Sequence, residues 1–364
     1  MTGIIKTDQL QGAGSSTVTI PSGTTLNVTT VSGTPTFSGA STFSGDVTLP
    51  SINGGQIGGR RNIVINGDAQ CWQRATSASS TGYTSVDRWS YYAPSSLAIS
   101  RSTDVPTGFQ YAISVGGGGD SSGITQKIEA STCKQLVGKT ITVSFYLKQT
   151  TGAGTDKIAV ALSRADSEDN FGGTTSISSQ TISTTSSYVR YTLTFTSLPT
   201  EVANGLQLTI KSNGSGSVVY LITGIQLEVG SQATAFEHRS FGEELQLCKR
   251  YFERMFRGGS APSGTERTGL AAGVWYQNSQ VLAHLGFSTK RAAPTVTQSE
   301  TGAIGCYGSG FFRTSTDSTP FDSITHNSLR INITSFNSNG TQGNGTYVQL
   351  VTNNVSNISI DAEL

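Results

Sequence analysis

The chain has 364 residues, of which 35% are apolar and 13% charged, and its formal net charge is +1. That length suits two or three domains better than one, and the charged fraction is about half that of an average soluble protein. No block of Lys or Arg is present, which argues against nucleic-acid binding through phosphate contacts, and no run approaches the roughly 18 apolar residues of a membrane span.

Ser, Thr, Asn and 43 glycines fill the remainder. Apolar residues fall in short alternating runs, which favours many strands and tight turns over disorder. Cys71, Cys133, Cys248 and Cys306 form no C-x-x-C pair, and MTGIIKTDQLQG has no apolar signal region. The expectation is a protein made in the cytoplasm, with four buried or idle thiols.

Residues 1–59 carry few charges: Lys6, Asp8 and Asp46. T-V-T-I at Thr17–Ile20 and L-N-V at Leu26–Val28 alternate as strands do. Ser32 to Leu49 then reads SGTPTF, SGASTF, SGDVTL, three hexads of the form S-G-x-x-T-[FL]. Val31, Phe37, Phe43 and Leu49 recur at an even spacing, so in an extended chain they share one face. Gly33, Gly39 and Gly45 supply bends between the extended pieces. Three hexads complete about one turn of a single-chain solenoid, which cannot bury its own apolar row. Three parallel copies, each offering a row to one axis, would bury it; the plain alternative is a Gly/Ser/Thr linker. The expectation is an extended, homotrimeric β stalk with Val31, Phe37, Phe43 and Leu49 on its axis.

SINGGQIGGRR (Ser51–Arg61) is a glycine-dense joint. From residue 60 to 257, about nine β-rich runs are separated by turn clusters, the pattern of an antiparallel sandwich or jelly roll. ITVSFYLK and YVRYTLTF alternate most cleanly. Ser240-Phe241-Gly242-Glu243 matches a capping box, and Leu245, Cys248, Phe252 and Met255 form one apolar stripe. Together they predict a helix over 240–257, with Lys249, Arg250, Arg254 and Arg257 suiting the negative end of its dipole. Residues 258–364 read as an exposed loop followed by a small distal β-sandwich.

Catalytic patterns are scarce. GGGGD (Gly116–Asp120) lacks the spacing of a phosphate loop and reads as a turn, and no G-x-S-x-G or H-E-x-x-H occurs. His238, His284 and His326 lie apart, and His238 sits between Glu237 and Arg239 at an expected salt-bridge corner. Asp166, Glu168 and Asp169 share a polar loop, which reads as a solvated turn before a glycosidase pair; no metal or cofactor is expected. Aromatic residues are the better candidates, because flat rings stack on the apolar faces of sugars. Trp72 and Trp89 lie within strand-like runs and read first as core. Trp275, Tyr276, Phe311, Phe312 and Arg313 are the candidate ligand-binding residues, since adjacent residues of a strand cannot both face one core.

NIVINGDAQCWQR (Asn62–Arg74), DRW (Asp87–Trp89), VSFYLK (Val143–Lys148) and GIQLEVGSQATAFEHRSFGEELQLCKRYF (Gly224–Phe252) resemble the carbohydrate-binding-module-like jelly roll of bacteriophage tail and fibre proteins. The resemblance spans roughly Asn62 to Arg257. It implies a homotrimeric virion appendage, attached through its N-terminal segment to other virion proteins and presenting β-sandwiches to host-surface polysaccharide, most often on the tail. It carries over no ligand site, and Trp72 and Trp89, belonging to the motif, read as framework.

The rivals are a head-attached fibre or decoration protein, a passive connector, and a polysaccharide-degrading spike. Deleting Ser32–Leu49 is expected to lower trimer yield or shift the chain to monomers in sedimentation. A deletion variant that sediments as an ordinary trimer would reduce the hexads to a linker.

Overall fold

The computed structural model describes residues 61–93, 95–118, 121–152, 154–155, 157–214, 216, 218–255, 268–299, 303–308, 311–317, 319–334, 336, 340–350 and 357–364. The hexads, with Val31, Phe37, Phe43 and Leu49, lie outside the described residues, as does the expected loop after residue 257.

The architecture is mostly β, as the alternation predicts. Eleven strands form the central unit: β1 (Ser77–Ala78), β2 (Ser90–Tyr92), β3 (Ser95–Ser102), β4 (Ala112–Gly118), β5 (Gly123–Ile128), β6 (Ile141–Thr151), β7 (Ile158–Ser167), β8 (Asn170–Ile182), β9 (Val189–Phe195), β10 (Leu206–Ser212) and β11 (Val218–Val229). They pair as a six-stranded sheet, β1-β3-β4-β11-β6-β9, and a five-stranded sheet, β2-β5-β10-β7-β8; every pairing is antiparallel. In β10 the text L-Q-L-T-I-K turns Leu206, Leu208 and Ile210 inward and Gln207, Thr209 and Lys211 outward. Those leucines join Val143, Phe145 and Leu147 of β6 and Val160 of β7 in one core between the sheets, the packing of a sandwich.

The motif segments interlock. Asn62 accepts from the Val64 and Leu227 amides (3.0 and 3.1 Å) and donates to the Ile225 carbonyl (3.1 Å). Glu237 accepts from the amides of Arg61 and Asn62 (2.9 and 2.7 Å), and Gln226 accepts from the Glu237 amide (2.8 Å). Glu228 holds Thr234 through its amide and hydroxyl (2.8 and 2.7 Å). Asn66 adopts the left-handed conformation (φ 58°), which Asn tolerates, and its side chain clasps Cys71 and the Asp87 carbonyl, each at 2.9 Å. Gly67 follows because a Cβ there would lie 2.1 Å from the Ile225 carbonyl oxygen. These side chains spend their hydrogen bonds on the motif's own backbone, so the motif builds the scaffold.

Two helices are described, the single turn α1 (Ala130–Cys133) and α2 (Phe241–Lys249). The capping box at Ser240 and Glu243 forms as predicted. The helix is shorter than the predicted 240–257, however, because the chain enters β12 (Phe252–Met255), which pairs with β21 (Ile358–Asp361). That partner lies over a hundred residues away and supplies the backbone hydrogen bonds another helical turn would have made. Phe252 and Met255, read as the end of a helical stripe, belong to a strand.

The distal unit adds β13 (Thr268–Gln277), β14 (Gln280–Gly286), β15 (Thr295–Gln298), β16 (Ile304–Gly308), β17 (Phe311–Thr314), β18 (Phe321–Asp322), β19 (Ser328–Ile333) and β20 (Gly345–Leu350). Its sheets run β17-β16-β20-β13-β14-β19-β18 and β12-β21-β15. Trp275, Val281, Ile331 and Val348 of the first bury against Ile358 and Ile360 of the second.

The two units are joined by buried charge. Arg88 pairs with Glu363 and donates to the Lys127 carbonyl (2.6 Å). Arg74 reaches Asp87 (3.6 Å), Asp361 (3.1 Å) and Glu363 (3.4 Å). Both guanidinium groups lie on rings, Arg88 on Tyr251 at 3.4 Å and Arg74 on Phe252 at 3.6 Å. Burial pushes the Asp87 carboxyl up to about 6, against the pull of Arg74 and Gln73. All four cysteines are buried and free, as expected. Among the described residues no helix is long and apolar enough to cross a membrane.

Glu363→Gln leaves Arg88 buried beside a neutral partner. Loss of a buried counter-charge costs about 3–5 kcal/mol, so urea unfolding is expected to show a clearly lower midpoint. An unchanged midpoint would mean that this pair does not hold the units together.

Candidate functional site

In β13 the run A-A-G-V-W-Y alternates, and the sheet separates its two aromatics. Trp275 is fully buried; it packs on Phe336 (4.9 Å between rings), and a Cβ on Gly340 would fall 2.3 Å from the indole. The sequence-predicted ligand residue Trp275 is therefore a core residue, too enclosed to meet a sugar. Tyr276, its neighbour, is 55% exposed. Phe311, Phe312 and Arg313 lie in β17, the edge strand beside β16, with Phe312 in register with Tyr307.

The outer face of the seven-stranded sheet gathers exposed rings that the sequence did not single out. Tyr307 of β16 pairs directly with Tyr347 of β20, and Tyr347 pairs with Ala272 of β13. Tyr347 is 66% exposed and Tyr307 43%, while their neighbours Cys306 and Val348 point into the core. Directly opposed residues bring their Cβ atoms about 5 Å apart, close enough for two rings to form one apolar platform. Val274, also exposed, and Tyr276 extend it along β13. Four of the seven large apolar or aromatic side chains exposed among the described residues are thus on this face.

The other half of the same face is polar. Exposed His284 of β14 opposes Arg330 of β19, which opposes Asp322 of β18. Arg330 binds Asp322 through two N–H groups (2.6 and 2.9 Å), and Asn332 donates to Asp322 (2.8 Å) and accepts from Gln280 (2.8 Å). The guanidinium, first among several donors, holds the Asp322 carboxyl below its ordinary range. An apolar ring platform beside fixed donors and acceptors is the composition that takes a polyhydroxylated ligand: rings for its C–H faces, polar groups for its hydroxyls.

The other sequence candidates are held by partners within the chain. Trp89 is fully buried, its indole donating to the Asn66 carbonyl (3.0 Å). Trp72 is half-buried and donates to the Ala69 carbonyl (2.5 Å). The ion pair near His238 forms between Arg239 and Glu244 (3.3 Å); His238 itself packs on Phe109 and Phe236. Asp166 binds Thr175 (2.7 Å), Glu168 binds Lys134 (2.9 Å), and Asp169 accepts from the Ala130 amide (2.7 Å). Tyr307 and Tyr347 escaped notice because their pairing is set by register between strands 40 residues apart; only their positions at alternating, outward sites of C-Y-G and T-Y-V hinted at exposure.

No family model matches the chain, and no curated protein matches it. Similarities of fold to solved structures are low. A protein from Bacteroides thetaiotaomicron described as sugar-binding is 11% identical, with 46% of this chain and 100% of that one covered and a TM-score of 0.34. A family 22 carbohydrate-binding module of Clostridium thermocellum Xyn10B is 13% identical, with 47% and 98% covered and a TM-score of 0.32. Tailspike protein 4 of Bacteriophage CBA120 is 14% identical, with 46% and 21% covered and a TM-score of 0.31. At such scores no ligand, residue role or assembly passes from these proteins to this chain.

Replacing neighbours in β13 separates core from surface. Trp275→Ala is expected to cost about 3–5 kcal/mol of stability, whereas Tyr276→Ala should stay within about 0.5 kcal/mol. Denaturant titration of the two variants checks the assignment, and equal losses would contradict it.

Proposed function

We propose that this chain is a homotrimeric bacteriophage fibre protein that adheres to host-surface polysaccharide through the outer face of its distal sheet, without cleaving the polysaccharide. The observation that carries the reading is the paired, exposed Tyr307 and Tyr347, continued by Val274 and Tyr276 and flanked by the Arg330–Asp322–Asn332 network. Rings of this kind contribute about 1 kcal/mol each beyond their buried area. One face is therefore weak, and three copies on a trimer, with several trimers on a particle, would raise avidity far above it. The repeated hexads before the sandwich and the resemblance of Asn62–Phe252 to phage appendage jelly rolls support the assembly and the virion setting, with the tail as the preferred point of attachment.

The test is binding of the labelled, full chain to bacteria, with the purified surface polysaccharide of those bacteria as competitor. Tyr347→Ala and Tyr307→Ala are each expected to weaken cell binding about tenfold or more once three copies act together, with unfolding midpoints unchanged. The competitor should keep its chain length after incubation. Undiminished binding by both variants would overturn the assignment of this face, and shortening of the polysaccharide would overturn the non-catalytic reading.

A further inference from the structure

A second recess shares no lining residue with the outer face of the seven-stranded sheet. It is an open cleft of about 630 Å³ between the 70–73 loop, the ends of β3 and β4, helix α2 and β12. Three rings line it from separate elements: Trp72, Tyr111 and Phe241. Phe241, the first residue of α2, is 55% exposed, although the capping box at Ser240 and Glu243 already secures the helix start without it. Trp72 is held by its bond to the Ala69 carbonyl.

Charge on this cleft is one-sided. Arg101, Lys249 and Arg254 line it, and no Asp or Glu does. Lys249 has a partner in Glu253 (3.4 Å) and Arg254 donates to the Arg74 carbonyl. Arg101 differs: its guanidinium stacks on the Tyr111 ring, 4.4 Å from the centroid, and among the described residues it meets no carboxylate. Stacking leaves the edge of a guanidinium, its N–H fork, available for two parallel bonds to an anion. Gln70 and Gln110 also line it; Gln70 donates to Asp68 and Gln110 to the Tyr111 hydroxyl, and their amide oxygens can accept from neighbouring hydroxyls.

The geometry points to a binding site for an acidic saccharide: a sugar ring on Phe241 and Trp72, its carboxylate on Arg101, which Tyr111 holds in place. The rings alone would suit any sugar, and the uncompensated cation selects the charged one. This inference rests on the cleft alone and stands whether or not the distal face binds polysaccharide.

Tryptophan emission gives a direct readout, because of the three tryptophans Trp89 and Trp275 are fully buried and Trp72 lines the cleft. The full chain is titrated with trigalacturonate and, separately, with neutral galactotriose. Trigalacturonate is expected to change the emission and to bind about tenfold or more tightly than galactotriose, the size of one charge-assisted bond. Arg101→Ala should erase that preference, and Phe241→Ala should weaken both sugars; both residues are exposed, so the unfolding midpoint should not move. Tyr347→Ala should bind trigalacturonate as the parent does, which separates this cleft from the distal face. Equal affinity for the two sugars, no binding of trigalacturonate, or an Arg101→Ala variant that keeps its preference would each overturn the inference.

Discussion

A buried guanidinium is tolerated only against a carboxylate, and two of them govern the junction of this protein. Removing an ion from water costs several kcal/mol, recovered only through close pairing and full hydrogen bonding. Arg88, almost wholly buried and held in a left-handed conformation (φ 71°), meets Glu363, the Lys127 carbonyl and the Tyr251 ring. Arg74 shares Glu363 and adds Asp87 and Asp361. The segment Ile358–Glu363 must therefore be in place for the sandwich to bury its own arginines. That same segment contains β21, the middle strand of the small distal sheet, so one set of charges ties the assembly of both units together.

The motif shared by Asn62–Arg74 and Gly224–Phe252 serves that end. Asn62, Asn66, Glu237, Arg239 and Glu244 spend their polar atoms on the motif's own backbone, at Asn62, Val64, Asn66, Cys71, Asp87 and Ile225. Arg250 adds a two-pronged bond to Glu129 (3.0 and 2.8 Å), and Lys290, fully buried, joins the Lys249 carbonyl (2.6 Å) to Glu253 (2.9 Å). Residues this heavily committed are poor choices for recognition, because a ligand would have to replace bonds that hold the scaffold. The side chains on which recognition is proposed are ones the scaffold does not need: Tyr307 and Tyr347 on the distal sheet, Phe241 and Arg101 at the cleft.

Much of the fold was legible in local patterns. Alternation in L-Q-L-T-I-K marked β10, and the capping box marked the start of α2. The helix end was not legible, because Phe252 and Met255 suit a helical stripe and a strand equally well, and only pairing with β21 decides between them. Trp275 and Tyr276 show the same limit at the candidate site. Strand periodicity says that one faces in and the other out, yet it does not say which; the close approach of Gly340 to the indole settles it.

By itself, the sequence determined what depends on neighbours along the chain: a β-rich protein, a capped helix after Arg239, and thiols with no pairing pattern; the Gly116–Gly118 stretch, read as a turn, is instead the end of β4. Tertiary structure decided what depends on distance in space. Cross-strand register set Tyr307 against Tyr347, chain return set Glu363 against Arg88, and the approach of α2 to the 70–73 loop opened a cleft without a carboxylate. These are contacts between residues 40 to nearly 300 positions apart, and no local pattern encodes them because each is chosen by burial and pairing of the whole chain.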